Sequence, residues 1–273
     1  MKTSTLCRFL GLSLLLMIPS TATANQDPVC DVNPANMDSY NHYCTTTPEN
    51  YEVIIYELGL CTSDPLPGTV FSSSSCQKVF ESSGNARVNL SPGSAFDLVG
   101  SSTAPAAGSY THAYVVMDPT FKLKFSYVLN GVTYYSKSGN YEASDYAKNA
   151  TTVSSEASSF IETLDSFDDK NNPHLAKVDA VPVSGGVIKA LLAGNNLQAS
   201  TASAGTTRLV GVFKPSTAWS IQSGLKTFDI KFTVKDTGGA VESCAPSEFG
   251  SGSSSEVCGF GSGPFAPQFG FGY

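Results

Sequence analysis

Charge is scarce in this chain. Asp, Glu, Lys and Arg make up 14% of its 273 residues, against roughly 25% in ordinary soluble proteins. Acids outnumber bases, 23 to 16. That argues against a nucleic-acid partner, since duplex binding needs a basic face that displaces counterions. There are three histidines and one tryptophan. Gly-Lys never occurs as a dipeptide, so no phosphate-cradling P-loop is present. H-E-x-x-H and G-x-S-x-G are also missing, which removes the zinc-protease helix and the nucleophile elbow. Past the first 20 residues no apolar run is long enough to span a membrane. Hydrophobic residues nevertheless reach 41% and aromatics 11%, so a core can be buried and wholesale disorder is excluded.

The N-terminus reads as a targeting segment. Lys2 and Arg8 precede an apolar run from Phe9 to Ile18; Pro19 ends it, and Ala22 and Ala24 form an A-x-A cleavage pattern. This is the layout of a secretory signal peptide covering residues 1–24. Without Lys2 and Arg8, 14 bases face 23 acids, a net charge of −9. Arg87 and Arg208 are then the arginines that remain, too few for an extended site that clamps phosphates or carboxylates.

Cys7 leaves with the signal, and Cys30, Cys44, Cys61, Cys76, Cys244 and Cys258 stay. An even count in an exported chain implies disulfides. Their spacings of 14, 15 and 14 residues favour pairing of neighbours, each bridge contributing about 3 kcal/mol if unstrained. Zinc is the competing reading, but C-x-x-C is absent and histidine is rare.

Short β-branched and aromatic segments dominate the middle of the chain. After a polar, turn-rich cap over residues 25–50, Tyr51 to Leu58 reads as a buried strand. Val79-Phe80, Ala86 to Leu90, Val187 to Leu192 and Leu209 to Phe213 are further candidates. Phe121, Leu123, Phe125, Tyr127 and Leu129 alternate with Lys122, Lys124, Ser126 and Val128, period two with one apolar face. Asn130-Gly131 follows, the type I′ hairpin signal, which places Leu129 opposite Val132 and Tyr127 opposite Tyr134. With Tyr110 to Met117 upstream, residues 110–136 are expected to form a three-stranded meander. Phe228, Ile230, Phe232 and Val234 mark a last strand before Asp236-Thr237-Gly238-Gly239. At residues 154–167 the period changes: Ala157, Phe160, Ile161, Leu164 and Phe167 recur at helical spacing, which predicts a short amphipathic helix. There is no βαβ rhythm and no internal repeat.

Residues 245–273 differ again. From Glu248 to Tyr273 the chain carries seven Gly and five Phe. Such glycine density opposes tight packing. Phe249, Phe260, Phe265, Phe269, Phe271 and Tyr273 are the candidate contact residues of an interaction tail, with a Cys244–Cys258 bridge pinning it to the body.

Candidate chemistry is thin. His42, His112 and His174 lie far apart in sequence. Glu52 with Glu57, and Asp97 with Asp118, are carboxylate pairs of the type glycosidases use, but 23 acids produce such pairs by chance. Asp165 to Asn172 fails the EF-hand pattern: position 3 is Phe167 and position 6 is Lys170. Asn149-Ala150-Thr151 and Asn89-Leu90-Ser91 are glycosylation sequons. Trp219 is either core or a sugar-stacking ring, with core favoured.

Ala104-Pro105-Ala106-Ala107-Gly108-Ser109-Tyr110, followed by an apolar strand and preceded by Ser91-Pro92-Gly93 and Asp97-Leu98-Val99, resembles the strand entry of prealbumin-like (transthyretin-like) exported domains. The resemblance covers residues 51–136 and implies a transthyretin-like sandwich without any particular catalytic residue. The sequence thus predicts a mostly β protein: an antiparallel β-sandwich, Ig-like or transthyretin-like, over residues 51–244. It is expected at a cell surface, in a periplasm or secreted, with no cofactor, no metal, no nucleic acid and no membrane span. The leading expectation is a non-catalytic structural or adhesive module that contacts itself, a surface protein or a polysaccharide. A small-ligand or carbohydrate-binding protein is the alternative, and an unrecognised hydrolase the third reading.

Overall fold

The computed structural model describes residues 29–30, 43–82, 84, 87–91, 98–142, 149–167, 174–183, 185–244 and 256–273. The segment expected to be a signal peptide, His42, Asp97 and Phe249 lie outside them, as does most of the expected cap over residues 25–50. The described residues form strands, with only two single-turn 3₁₀ segments beside them. In chain order the strands are β1 (Tyr43–Thr46), β2 (Asn50–Cys61), β3 (Cys76–Ser82), β4 (Arg87–Asn89), β5 (Gly100–Ser102), β6 (Gly108–Tyr110) and β7 (His112–Met117). Then come β8 (Thr120–Lys124), β9 (Ser126–Leu129), β10 (Val132–Ser136), β11 (Asn140–Glu142), β12 (Ala150–Thr151), β13 (Phe160–Thr163) and β14 (Lys177–Val183). The last are β15 (Gly186–Ala193), β16 (Arg208–Pro215), β17 (Trp219–Ile221), β18 (Thr227–Thr233), β19 (Gly239–Ser243), β20 (Val257–Ser262) and β21 (Ala266–Gly272).

The long strand β2 organises the molecule. Its 12 residues pair end to end with two strands on each side. On one side β7 lies against residues 55–61 and β8 against residues 50–52. On the other side β3 and β4 divide its length in the same way. From β7 the sheet continues through β16 and β15 to β14; from β8 it continues through β13 to β11. Pairing is antiparallel except between β11 and β13.

This arrangement corrects the expected meander over residues 110–136. Strand β7 does not fold back on the next strand; residues 112–124 run almost straight along β2. Asp118-Pro119 interrupts the strand without reversing it, and the Asp118 N–H still donates to the Ile54 carbonyl (2.9 Å). The second half of the expectation holds. Asn130 and Gly131 have φ of 51° and 79°, and β9 and β10 pair with Leu129 opposite Val132 and Tyr127 opposite Tyr134.

The helix expected over residues 154–167 is also corrected. Phe160–Thr163 form β13, paired with β8. Helical spacing counted only the apolar side chains. The buried side chains here are Phe160 and Glu162, two apart, and strand periodicity hides behind a polar residue on the inner face.

Both faces of the long sheet are covered. Tyr114, Val116, Leu191, Val210 and Val212 pack with Leu66 and Phe71 of the loop between β2 and β3. The opposite face carries Leu58, Leu60, Ala113, Val115, Met117 and Leu209 and belongs to the larger core. Over that face lies the β18–β21 ribbon. Its pairing places Phe228 opposite Phe271, Ile230 opposite Phe269 and Phe232 opposite Pro267, so one ribbon face is apolar and the other shows Thr227, Asp229 and Lys231. The described part of the Gly/Phe-rich segment, residues 256–273, is therefore built into the body as β20 and β21.

Three disulfides join Cys30 to Cys44, Cys61 to Cys76 and Cys244 to Cys258. Cys61 and Cys76 are directly opposed across β2 and β3.

Candidate functional site: an apolar pocket under the C-terminal ribbon

A cavity of about 310 Å³ lies between the long sheet and the C-terminal segment. Its floor consists of Val115 of β7, Gly211 and Phe213 of β16, Ile188 and Ala190 of β15, and Val178 and Val181 of β14. Register explains the hollow. Ala190, Gly211 and Val115 form one cross-strand row, and two of the three are too small to reach the ribbon. The wall is Ser262, Gly263, Pro264, Phe265 and Pro267; Leu164 and Phe167 close one side, and Tyr51 and Phe121 also line it. The wall needs glycine at position 263, where a Cβ would stand 2.1 Å from the Thr237 carbonyl oxygen.

Among the described residues no Lys, Arg, His, Asp or Glu lines the cavity. A carboxyl group contacts the wall residue Ser262. Glu162 of β13 is buried and accepts from the Ser262 N–H at 2.7 Å and from the Ser262 hydroxyl at 2.6 Å. Burial pushes its pKa up to about 7, against the pull of those two hydrogen bonds, and Asp165 adds to the rise. Tyr51 is fully desolvated, which holds its phenol well above the usual range, and Glu162 reinforces the shift.

The wall strand is fixed by a second polar group. Asn149 is buried and faces the Phe260 backbone: its amide donates to the carbonyl at 2.8 Å and its oxygen accepts the N–H at 2.7 Å. A side-chain amide thus takes the part of a neighbouring strand. The sequon Asn149-Ala150-Thr151 is used structurally. So is the other one, in which Asn89 accepts the Ser91 N–H (2.9 Å) and Ser91 accepts the Tyr51 N–H (2.9 Å).

The aromatic tail candidates turn inward. Phe260 is buried and stacked on Phe125 at 5.2 Å. Phe265 meets Tyr51 edge-on at 5.3 Å and Phe232 at 5.7 Å. Phe269 lies 4.8 Å from Trp219, and Phe271 stacks on Phe228 at 5.6 Å. Tyr273 is half exposed, and its hydroxyl accepts the Gln222 N–H. Trp219 is half-buried between Phe269 and Phe213, which lies 5.9 Å away.

The described carboxylates and histidines among those singled out from the sequence make contacts within the scaffold. Glu52 pairs with Lys122 (3.3 Å), and Glu57 pairs with Lys78 (2.9 Å) and accepts from Tyr114. Asp118 accepts from Tyr56 (2.7 Å), whose ring carries Arg208 at 4.2 Å. His112 is buried beside Thr111 (2.9 Å), and desolvation lowers its pKa. His174 reaches Ser200 at 2.8 Å. That hydroxyl also meets the Leu192 carbonyl and Thr206, and His174 Nδ1 has no partner to orient the ring. A serine whose proton goes to a backbone carbonyl is not poised as a nucleophile. Among the described residues no three His, Cys, Asp or Glu side chains gather as a metal site. No helix among them is long and apolar enough to cross a membrane.

Sequence reasoning missed the pocket itself. Its signals are faint: small residues within apolar strands at Ala190 and Gly211, and a lone acid in Phe160-Ile161-Glu162-Thr163. Comparison with family models, with curated proteins and with solved structures finds no match to this chain.

Proposed function

We propose that the protein is an exported, non-catalytic binding protein that holds a small, uncharged, apolar molecule between its long sheet and its aromatic ribbon. The cavity carries this reading. Its volume of about 310 Å³ stands at the lower end of ligand pockets, roughly 300–1,000 Å³, and its apolar lining with a few polar groups is what such pockets share. Among the described residues no cation lines it, which argues against a fatty acid or phosphate head group. The scarcity of polar lining argues against a sugar. Three disulfides favour an oxidising compartment. On this reading ribbon and sheet are the two layers of a β-sandwich, of the transthyretin-like kind that residues 51–136 resemble. Contact with a second copy, a surface protein or a polysaccharide through the aromatic tail draws less support, because Phe260, Phe265, Phe269 and Phe271 face the body.

Titration with N-phenyl-1-naphthylamine, an uncharged apolar fluorophore, tests the proposal. Saturable enhancement at one site is expected, and Ala190→Phe, which fills the floor, should weaken it by about tenfold or more while leaving the circular dichroism spectrum unchanged. Enhancement that is absent, or equal in the variant, would remove the pocket as the binding site.

A further inference from the structure

We propose that the protein binds a second ligand, a single compact oxyanion of the sulfate or carboxylate class, between Arg87 and Arg208 on the outer face of β2. None of Arg87, Tyr56, Asp118 and Arg208 lines the apolar cavity, so the two sites stand or fall separately.

Tyr56 marks the place. It is the extra residue of a β-bulge in β2, where the register against β7 passes from Ile55 opposite Met117 to Glu57 opposite Val116. Bulges re-aim side chains and recur beside functional sites. The partners of β2 also change here on both sides. β3 gives way to β4 on one side, and β7 to β8 on the other, across Asp118-Pro119.

Asp118 fills this junction without neutralising the arginines. One of its oxygens accepts the Thr120 N–H (2.9 Å) and the other accepts the Tyr56 hydroxyl (2.7 Å). Those two partners in turn hold the guanidinium groups. Arg208 lies over the Tyr56 ring, 4.2 Å from its centre, and donates to the Thr207 carbonyl (2.7 Å). Arg87 stands opposite Ile54 and reaches across β2 to donate to the Thr120 carbonyl (2.9 Å). Burial, and then the bond to Asp118, push the Tyr56 phenol up to about 12, while Arg208 and Arg87 both draw it down. Both positive charges therefore act on one hydroxyl.

The lysines of the neighbouring strands behave differently. Lys78, Lys122 and Lys124 each pair with a glutamate, Glu57, Glu52 and Glu49. Among the described residues neither Arg87 nor Arg208 forms an ion pair. A guanidinium carries five N–H donors in a rigid fork that fits an oxyanion, and the scaffold engages one nitrogen of each with a backbone carbonyl. Both side chains are half-exposed, as are Tyr56 and Asp118, so a ligand can approach from solvent. Two positive charges against one negative leave this group of side chains net positive. Two arginines are too few for an extended anionic surface, but they suffice for one oxyanion, and their prior anchoring lowers the entropy cost of binding it.

The arginine Nε–H signals in a proton–nitrogen correlation spectrum report on the site directly. The chain has three arginines, Arg8, Arg87 and Arg208, and each signal is assigned by its loss in the arginine-to-glutamine variant. Sodium sulfate and sodium acetate are titrated in turn at constant ionic strength, with chloride as the balancing anion. The Arg87 and Arg208 signals should move together and saturate with one dissociation constant for at least one probe. Saturation by sulfate alone assigns a tetrahedral oxyanion, and by acetate alone a planar carboxylate. Arg87→Gln should weaken the binding read at Arg208 by about tenfold or more, the scale of a lost charge-assisted hydrogen bond, and Arg208→Gln should do the same at Arg87. Backbone amide spectra show that the variants are folded, and the wild-type titration decides without them. Shifts that never saturate, saturation at one arginine only, or binding that survives in both folded variants overturns the site.

Discussion

Glu162 is a carboxyl group held away from water with two donors from one serine and no cation among the described residues to pair with it. Its folded pKa of about 7 lies above the ordinary value of 4.5. The folded protein therefore binds this proton more tightly than the unfolded chain does. The stability it contributes is complete below about pH 4.5 and is lost as pH rises through 7. The difference corresponds to about 3 kcal/mol. His112 acts in the opposite sense, since its lowered pKa disfavours the folded state on the acid side. Comparing wild type with Glu162→Gln by urea denaturation at pH 5 and pH 8 isolates the carboxyl. The wild type should lose stability over that interval by up to about 3 kcal/mol relative to the variant; parallel profiles would show that the group titrates normally. From the sequence Glu162 was invisible as a buried acid. An acid between Ile161 and Thr163 reads as the solvent side of an element, and only pairing with β8 turns it inward.

At the scale of elements, β20 is held by Asn149 as well as by strand pairing with β19. Asn149→Ala would leave the Phe260 N–H and carbonyl without that partner in a buried place. The expected cost is about 2–4 kcal/mol, measurable as a lower denaturation midpoint. In a glycosylating host the folded protein should carry no glycan on Asn149, which intact-mass measurement checks. The hairpin at Asn130-Gly131 was legible because turn chemistry is local: both residues need positive φ, and few pairs supply it. Strand β13 was not legible. Its helical spacing is genuine, but a lone helix of that length is marginal, and the free edge of β8 offers a ladder of backbone hydrogen bonds in its place. The meander failed for a related reason. Period two located β7 and β8 but could not say which edge each would take, and β2 is long enough to take both.

At the scale of the whole molecule, local staples hold a largely non-local fold. Each disulfide closes a loop of 14 or 15 residues, whereas β1 pairs with β19 across nearly the whole described chain, Thr46 opposite Gly239. The chain-entropy model assigns about 3 kcal/mol to each such loop. Replacing both cysteines of one bridge by alanine should lower unfolding stability by an amount of that order. The Cys244–Cys258 pair should also loosen the pocket, because it ties β19 to the wall strand β20. Apolar-probe affinity in that variant checks the link; unchanged affinity would show that the wall is held without the bridge.

Strand content, the turn at Asn130-Gly131, neighbour pairing of cysteines and the absence of familiar catalytic signatures could all be read along the chain, since each depends on residues close together in sequence. The cavity could not. It exists because two small residues on separate strands share a row, because a glycine lets the wall approach Thr237, and because an aromatic ribbon from the far end of the chain closes over them. Those are distances between segments, and they come into being only when the chain packs.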